Sequence, residues 1–249
     1  MSGHSRWSTI RRKKSAADAK RGREFSKLIR LITIAAREGG GDINANMRLR
    51  TAVEAARAAN MPQDNITRAI KRGTGELEGV SYEAYTYEGY GPGGTAILIE
   101  TLTDNKNRTT AEIRHIMSKQ GGSLGESGCV QWMFEKKGVI LVNRADAGED
   151  ALMEIGIENG ADEVAEDGNY FRIVSHPSAF DKLRKAVEDA GIRVENAEIS
   201  MEAQTQIRLA GKEAEAILRI VNALEEHDDV QNVWSNFDIP DDVMEKLAV

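Results

Sequence analysis

Residues 138–201 read GVILVNRADAGEDALMEIGIENGADEVAEDGNYFRIVSHPSAFDKLRKAVEDAGIRVENAEISM, and their pattern decides how the chain divides into domains. Short apolar runs predict four strands, and longer segments that end at Gly160 and Gly191 predict two helices. The strands are predicted at 139–142, 162–165, 170–175 and 195–201, and the helices at 149–159 and 177–190. The resulting order, β-α-β-β-α-β, is that of the ferredoxin-like fold.

The segments on either side of this unit predict a second domain that the unit interrupts. Strands are predicted at 82–90, 95–102, 129–134, 205–209 and 230–237, and a helix at 212–227. Another helix is predicted where Thr109 and Glu112 have the spacing of a capping box. Because the six-element unit is closed, we expect 81–135 and 203–249 to form one domain into which 136–202 is inserted.

The first 80 residues predict a small helical domain. In the first helix, which begins near Lys20, the residues Phe25, Leu28, Ile29 and Ile32 recur at the spacing of an apolar helix face. Further helices are predicted at 46–59 and from Pro62 to Gly73, and a glycine-rich linker at 73–81. The predicted fold class is therefore α+β and multidomain, an N-terminal three-helix bundle plus two α+β domains, the third ferredoxin-like and inserted in the second.

Charge is distributed very unevenly along the chain. The stretch 3–31 contains eleven lysine, arginine or histidine residues and only two acidic ones, Asp18 and Glu24. Residues 1–80 contain 17 Lys and Arg against 8 Asp and Glu, a net charge of +9. Residues 81–249 contain 16 against 32, a net charge of −16. Such asymmetry indicates that the basic third binds a polyanion, while the acidic remainder of the chain repels it.

The candidate nucleic-acid-binding residues are basic side chains, with one aromatic and two amide residues among them. They are Arg6, Trp7, Arg11, Arg12, Lys13, Lys14, Lys20, Arg21, Arg23, Lys27, Arg30, Arg68, Lys71, Arg72, Asn105, Lys106, Asn107, Arg108 and Arg114. In the first helix, the side opposite the apolar face carries Lys20, Arg23, Lys27 and Arg30.

Three of these groups have a second interpretation. Trp7 can stack on a base or anchor its segment to the domain. The cations at 68–72 can contact phosphate or stabilise the end of their own helix. The segment 105–108 can hold a phosphate at a helix N-terminus, or it can be a polar turn whose side chains satisfy backbone donors.

Other classes of site are not supported by the sequence. The motif GYGPGG at 89–94 matches G-x-G-x-x-G by letter, but a strand follows it, so we interpret it as a turn between strands. The four histidines lack metal-ligand spacing, and we expect the acidic pairs at 225–226 and 228–229 to be solvated. Cys129 is interpreted as a structural thiol in a strand. We expect no enzyme activity, no metal and no cofactor.

The sequence also predicts the cellular compartment of the protein. A single cysteine suits a reducing compartment, and the chain has neither a secretory signal nor an apolar run long enough for a membrane span. We therefore expect a cytoplasmic protein without a membrane partner.

Several motifs in this order resemble the YebC/PmpR family. They are GHSRW and RRKKSAADAKRGREFSKLIR at 3–30, ANMPQDNITRAIKRGTGE at 59–76, YEGYGPGG at 87–94, TDNKNRTTAEIRH at 103–115 and GCVQWMFEKKG at 128–138. The resemblance extends over essentially the whole chain. It implies a cytoplasmic protein with a helical bundle followed by two α+β domains, one inserted in the other. It also implies a role that involves binding nucleic acid, because the family is described as probable transcriptional regulators with members that bind promoter DNA.

The function expected from this resemblance is that of a DNA-binding transcriptional regulator. The alternative is a ribosome-associated translation factor that binds ribosomal RNA or mRNA and acts on elongation, since a mitochondrial relative activates translation and bacterial members are linked to stalled ribosomes. No set of base-reading side chains is evident, and recognition by shape, as for double-stranded RNA, needs none. A third hypothesis is a protein-interaction scaffold that uses the acidic domains.

Overall fold

The computed structural model describes residues 17–240 and 243–244, with side chains from residue 22 onward. The helices in this part of the chain are α1 Ala17–Gly39, α2 Met47–Ala58, α3 Gln63–Gly73, α4 Lys106–Lys119, α5 Glu149–Asn159, α6 Phe180–Asp189 and α7 Gly211–Glu225. The strands are β1 Glu83–Tyr90, β2 Ala96–Thr103, β3 Ser123–Leu124, β4 Phe134–Asn143, β5 Ala161–Asp167, β6 Tyr170–Ser175, β7 Val194–Ala203, β8 Ile207–Arg208, β9 Val230–Ser235 and β10 Phe237–Asp238.

The inserted unit is a four-stranded antiparallel sheet in the order β5-β6-β4-β7, with α5 and α6 on one face. Its core is made of alternate apolar residues of the strands and of both helices: Ile140, Val142, Leu152, Phe171, Ile173, Phe180, Leu183 and Val187. Gly160 ends α5 in the left-handed conformation, with φ of 84°, which a residue without a side chain adopts at little cost. The ferredoxin-like prediction for this unit is confirmed.

The second α+β unit draws its elements from both sides of the insertion. Its antiparallel sheet has the order β3-β1-β2-β9, so β9 pairs with β2 across the whole inserted segment. The core joins β2 and α4 to α7, β9 and β10, through Ile97, Ile99, Ile113, Met117, Ile217, Val221, Val233 and Phe237. The predicted insertion of one domain in another is thus present, whereas the domain boundaries after residues 80, 135 and 202 stay a prediction.

The opposite face of this sheet packs against the inserted unit. A smaller apolar cluster there contains Ala96, Leu98, Val130 and Phe134, with Met201, Ala203 and Trp234 at its edge. The indole N–H of Trp234 donates to Ser200 Oγ at 3.1 Å, which links β9 to β7. The second and third domains therefore share an apolar contact.

The helical bundle has its own core. Leu28 and Ile32 of α1 pack on Leu49 and Val53 of α2 and on Ile66 of α3. This confirms the predicted three-helix bundle, whose core cluster is separate from the clusters of the other two domains.

The connection from α1 to α2 is organised by one buried side chain. The carbonyl oxygen of the Asn46 side chain accepts from the N–H of Leu49 at 3.0 Å and so caps α2. Its amide nitrogen donates to the carbonyl oxygens of Ala35 (2.7 Å) and Gly40 (2.9 Å), which ties the end of α1 to the start of α2.

The strand prediction for 129–134 is wrong. A single 3₁₀ turn covers Gln131–Met133, and β4 begins only at Phe134. The cause is the carboxylate of Glu88, 4% exposed, which accepts backbone N–H groups from Gly128 (2.6 Å), Val130 (2.8 Å) and Gln131 (2.8 Å). N–H groups that donate to a side chain are not available to a neighbouring strand.

The same carboxylate influences the single cysteine. Burial raises the pKa of Glu88, but its three backbone hydrogen bonds lower that pKa by more, so the group stays ionised. Burial, followed by the negative charge of Glu88, raises the pKa of the Cys129 thiol. A thiol with a raised pKa is a poor nucleophile at neutral pH, which fits the structural role expected of Cys129.

Two glycine substitutions in the bundle should have opposite effects on stability. A Cβ added at Gly73 would lie 2.4 Å from the carbonyl oxygen of Thr33 and 2.7 Å from Ala36 Cβ, whereas at Gly22 it would meet no atom within 4 Å. We expect Gly73→Ala to lower the free energy of unfolding by about 1–3 kcal/mol, because α1 must move away. Gly22→Ala should raise it by up to about 1 kcal/mol, because alanine favours a helix. Urea unfolding checks both, and a neutral Gly73→Ala would contradict the packing described.

Candidate nucleic-acid interface

The cations of α1 lie against the end of α7. Glu225 to Asp229 form the C-terminal end of α7 and the turn before β9, and this segment is called the acidic corner below. Lys27 Nζ donates to the carbonyl oxygen of Glu225 at 2.7 Å, and the guanidinium of Arg30 donates to the carbonyl oxygen of Asp228. Arg23 lies 4.0 Å from a carboxylate oxygen of Glu226. Unpaired carbonyl oxygens at a helix C-terminus carry partial negative charge, so cations stabilise them.

Asp229 is the centre of this contact. Its side chain is 2% exposed, and its Oδ1 lies 3.0 Å from Arg30 Nη2. Its Oδ2 accepts from Arg108 Nη2 at 2.8 Å, Thr109 Oγ1 at 2.6 Å and Thr103 Oγ1 at 3.1 Å. The carboxylate therefore joins α1 of the bundle to β2 and α4 of the second domain.

The protonation of Asp229 follows from these partners. Burial raises the pKa of its carboxyl group. The hydrogen bonds from Thr109 and Arg108 and the positive charges of Arg30 and Arg108 outweigh burial, so the pKa lies below its usual value. The expectation that this acidic segment is solvated is therefore wrong for Asp229, whose partners lie far away along the chain.

The segment 103–109 contains a cap different from the predicted one. Asn105, not Thr109, caps α4, since its side-chain oxygen accepts from the N–H of Arg108 at 3.1 Å. Thr109 lies inside the helix, where its hydroxyl faces Asp229, so the predicted capping box of Thr109 and Glu112 is wrong. Arg108 also pairs with Asp104 at 2.8 Å.

The other candidates of this segment are exposed. The ammonium of Lys106 lies 4.6 Å from the ring centroid of Tyr85, and Asn107 and Arg114 face solvent. For Asn105 and Arg108 the polar-turn interpretation accounts for the observed contacts, while Asn107 and Arg114 remain accessible to a ligand.

The cations of α3 have a different environment from those of α1. Arg68, Lys71 and Arg72 are exposed, and Arg68 donates only to Asn65 Oδ1 at 2.9 Å and to the carbonyl oxygen of Asp64 at 3.3 Å. Within the described part of the chain, no carboxylate forms an ion pair with these three side chains. As far as the described residues go, no carboxylate neutralises them, and they remain accessible to a ligand.

The side chains of the remaining candidate residues are not described by the structure. Arg6, Trp7, Arg11, Arg12, Lys13 and Lys14 lie outside the described residues, and for Lys20 and Arg21 only the backbone is described. The structure thus brings Arg23, Lys27, Arg30 and Arg108 together around the acidic corner and places Arg68, Lys71 and Arg72 on α3.

An open cleft of about 730 Å³ lies where α1 meets the second domain. Glu112, His227 and Asp229 in it have side-chain atoms within 4.8 Å of one another, a grouping that could hold a metal ion. His227 Nε2 lies 2.8 Å from Glu112 Oε2, and its Nδ1 accepts from the N–H of Asp229 at 3.1 Å. Both ring nitrogens are thus engaged and two guanidinium groups adjoin Asp229, an arrangement that disfavours a cation.

Comparison with known proteins identifies relatives of the whole chain. Residues 5–76 match the model of the TACO1/YebC protein N-terminal domain, and residues 82–237 match that of the TACO1/YebC second and third domain. A "probable transcriptional regulatory protein" of Desulforapulum autotrophicum is 59% identical over 247 residues, which cover 99% of this chain and 100% of that one. One of the same description from Geobacter sulfurreducens is 56% identical, with the same coverage.

A solved structure shows the same fold. The crystal structure of a conserved hypothetical protein from Aquifex aeolicus has a TM-score of 0.79 and 45% sequence identity, and the match covers 92% of this chain and 94% of that one. None of the helices in the described part of the chain combines the length and the hydropathy that crossing a bilayer needs.

Removing one hydroxyl from the Asp229 site should destabilise the second domain. Thr109→Val keeps the shape of the side chain but removes the 2.6 Å hydrogen bond to the buried carboxylate. Hydrogen bonds to charged groups contribute about 1.5–3 kcal/mol, and we expect a decrease of that size in the free energy of unfolding. Thr67→Val, at an exposed position of α3, is the matched control and should change little. Equal stabilities of the two variants in urea would contradict the proposed bond.

The low pKa of Asp229 should make stability depend on pH in a definite direction. A carboxylate with a pKa below its unfolded value of about 3.9 contributes stability above that pH and loses it as the pH falls through the folded pKa. We expect Asp229→Asn to unfold at a lower urea concentration than the natural protein at pH 7, with a difference that shrinks below about pH 4. Asp146→Asn, in an exposed loop, is the control. A difference that is constant between pH 7 and pH 3 would show that the charge of Asp229 is not responsible.

Proposed function

Because the chain belongs to the TACO1/YebC family of regulatory proteins, we propose that it regulates transcription by binding DNA through its basic N-terminal third. The observation that carries the proposal is the group of exposed α3 cations without a carboxylate partner among the described residues. Relatives that match over the full length are named probable transcriptional regulatory proteins, which supports the same conclusion.

Electrostatics selects the face of the molecule that meets DNA. Residues 1–80 carry a net charge of +9 and residues 81–249 a net charge of −16, so the first segment is the main attractor of phosphate. Each lysine or arginine that neutralises a phosphate releases counterions, which makes this attraction strong and dependent on salt. Arg68, Lys71 and Arg72 contribute to this surface in the proposal, and the basic residues between Arg6 and Lys14 belong to the same basic third of the sequence.

The arrangement favours contact with the phosphate backbone over readout of bases. Arginine and lysine side chains on the surface of α3 can position a duplex without reading its sequence. Phosphate contacts also allow a protein to slide along DNA, so a second factor or the shape of the DNA can select the site. Asn107 and Arg114 of α4 lie in the otherwise acidic second domain and are secondary contacts in this proposal.

Neutralising the α3 cations should weaken binding and reduce its dependence on salt. In Arg68→Gln/Lys71→Gln/Arg72→Gln, the slope of log K against log salt for a DNA duplex should fall by about 0.9 for each phosphate that the protein no longer neutralises. The matched control is Lys182→Gln/Arg184→Gln/Lys185→Gln, which removes three positive charges from exposed positions of α6 in the inserted domain. Fluorescence anisotropy between about 50 and 200 mM salt measures both.

The control protein should keep the slope of the natural protein. Equal slopes for the α3 variant and the natural protein would place the interface elsewhere. Equal reductions in the α3 and α6 variants would mean that only total charge matters, which would also contradict the proposal.

The nature of the nucleic acid requires a measurement in cells, since DNA and RNA present the same phosphate groups. Cross-linking in growing cells, followed by sequencing of the recovered nucleic acid, should yield promoter DNA. The α3 variant should recover less of it than the α6 variant does. Recovery of ribosomal RNA or mRNA instead would overturn the DNA proposal in favour of action on translation.

A further inference from the structure

The bundle is held to the second domain mainly by polar contacts. Its apolar core is complete without residues of the second domain, because the two core clusters are separate. Besides the contacts of α1 with the acidic corner, the guanidinium of Arg37 donates to Ser81 Oγ and to the carbonyl oxygen of Tyr82. Arg30 also lies over the ring of Tyr82, 5.4 Å from its centroid. Polar interfaces between domains commonly permit relative motion.

The chain that connects the two domains allows such motion. Residues 74–81 link α3 to the second domain, and all of them are exposed. Gly75 has φ of 82°, and the whole connection lies outside the helices and strands. Separating the domains would therefore expose little apolar surface and would break mainly hydrogen bonds and ion pairs.

The contacts that would break involve the same cations that the sequence predicts for phosphate binding. Lys27 and Arg30 donate to carbonyl oxygens of the acidic corner, and Arg30 and Arg23 face its carboxylates. A phosphate group uses the same donors of an arginine or a lysine. The negative charges of the acidic corner also lie within the distance of about 10 Å over which charges act at moderate salt. The acidic corner therefore competes with a polyanion for α1.

We infer that the contact between α1 and the acidic corner is an autoinhibitory latch, which withholds the donors of Lys27 and Arg30 from nucleic acid until the bundle undocks. The inference rests on the proposed function, because nucleic acid is the competing ligand. In the docked state the protein binds through α3. Undocking frees Lys27 and Arg30 for further contacts with phosphate. The apparent association constant is then the average of the docked and open states weighted by their populations, and where the open state binds far more tightly it approaches the value for the open state multiplied by the open fraction.

The latch can be weakened from its acidic side, so that every cation stays in place. Glu226→Gln/Asp228→Asn removes two negative charges beside α1. The control Glu213→Gln/Glu215→Gln removes two negative charges from the first turns of the same helix. The control positions lie on the order of 20 Å away along the helix, because each helical residue rises about 1.5 Å. The two proteins have the same net charge, so a difference between them reports on the latch.

Fluorescence energy transfer can measure docking directly. Donor and acceptor dyes at Met47→Cys in α2 and Ser118→Cys in α4, both exposed positions, report on the separation of the two domains when Cys129→Ser removes the natural thiol. In the absence of DNA, we expect lower energy transfer in the Glu226→Gln/Asp228→Asn protein, called the latch variant, than in the control variant. A saturating short DNA duplex should lower the transfer of the natural protein toward that of the latch variant.

Affinity provides the second readout. The latch variant should bind the duplex about tenfold more tightly than the control variant at about 50 mM salt, which corresponds to about nine in ten molecules docked. Unchanged energy transfer at saturating DNA, with binding shown by anisotropy in the same sample, would overturn the latch and leave the proposed function intact. Equal affinities of the two variants would overturn it as well. Failure of all proteins to bind DNA or RNA would overturn the proposed function itself and the latch with it.

Discussion

The buried carboxylate of Asp229 holds together the elements around the cleft. Its side chain receives Arg30 from α1, Arg108 and Thr109 from α4, and Thr103 from the end of β2. A buried carboxylate without partners is strongly disfavoured, and Thr103, Arg108 and Thr109 of its own domain keep Asp229 partnered when Arg30 leaves. The position of the bundle on the second domain therefore depends on a group that contributes no apolar contact. This dependence makes the docking sensitive to charge, salt and pH.

Much of the fold follows from local patterns in the sequence. Apolar periodicity and glycines predict β6 at Tyr170–Ser175 with the observed bounds, and they predict the insertion of one domain in another. The failures have long-range causes. Glu88 recruits N–H groups about 40 residues away and turns a predicted strand into a 3₁₀ turn, and Asp229 engages Thr109 across the inserted domain. Periodicity describes which face of an element is buried, but it carries no information about which distant polar group enters that face.

The candidate site was predictable only in part for the same reason. Counting charged residues shows where the basic segment lies in the sequence and that its net charge is positive, because both are properties of the sequence alone. Which cations keep their charge available depends on where the acidic residues fold to. Arg30 and Arg72 have the same chemistry and lie on similar helices, yet Arg30 faces Asp229 while Arg72 has no carboxylate partner among the described residues. The distinction requires the packing of α1 on the acidic corner, which no local pattern encodes.

The acidic part of the chain thus has a more specific role than repelling polyanions at a distance. Repulsion alone would oppose nucleic acid from every direction. At moderate salt it would be screened beyond a distance of about 10 Å. The acidic corner instead contacts individual donors of Arg30 and Lys27, and this contact includes carbonyl oxygens whose partial charge does not depend on ionisation. Part of the docking therefore persists when carboxylates are screened or protonated. A polyanion that presents several phosphates at once can replace these contacts together, which single anions in solution do far less effectively.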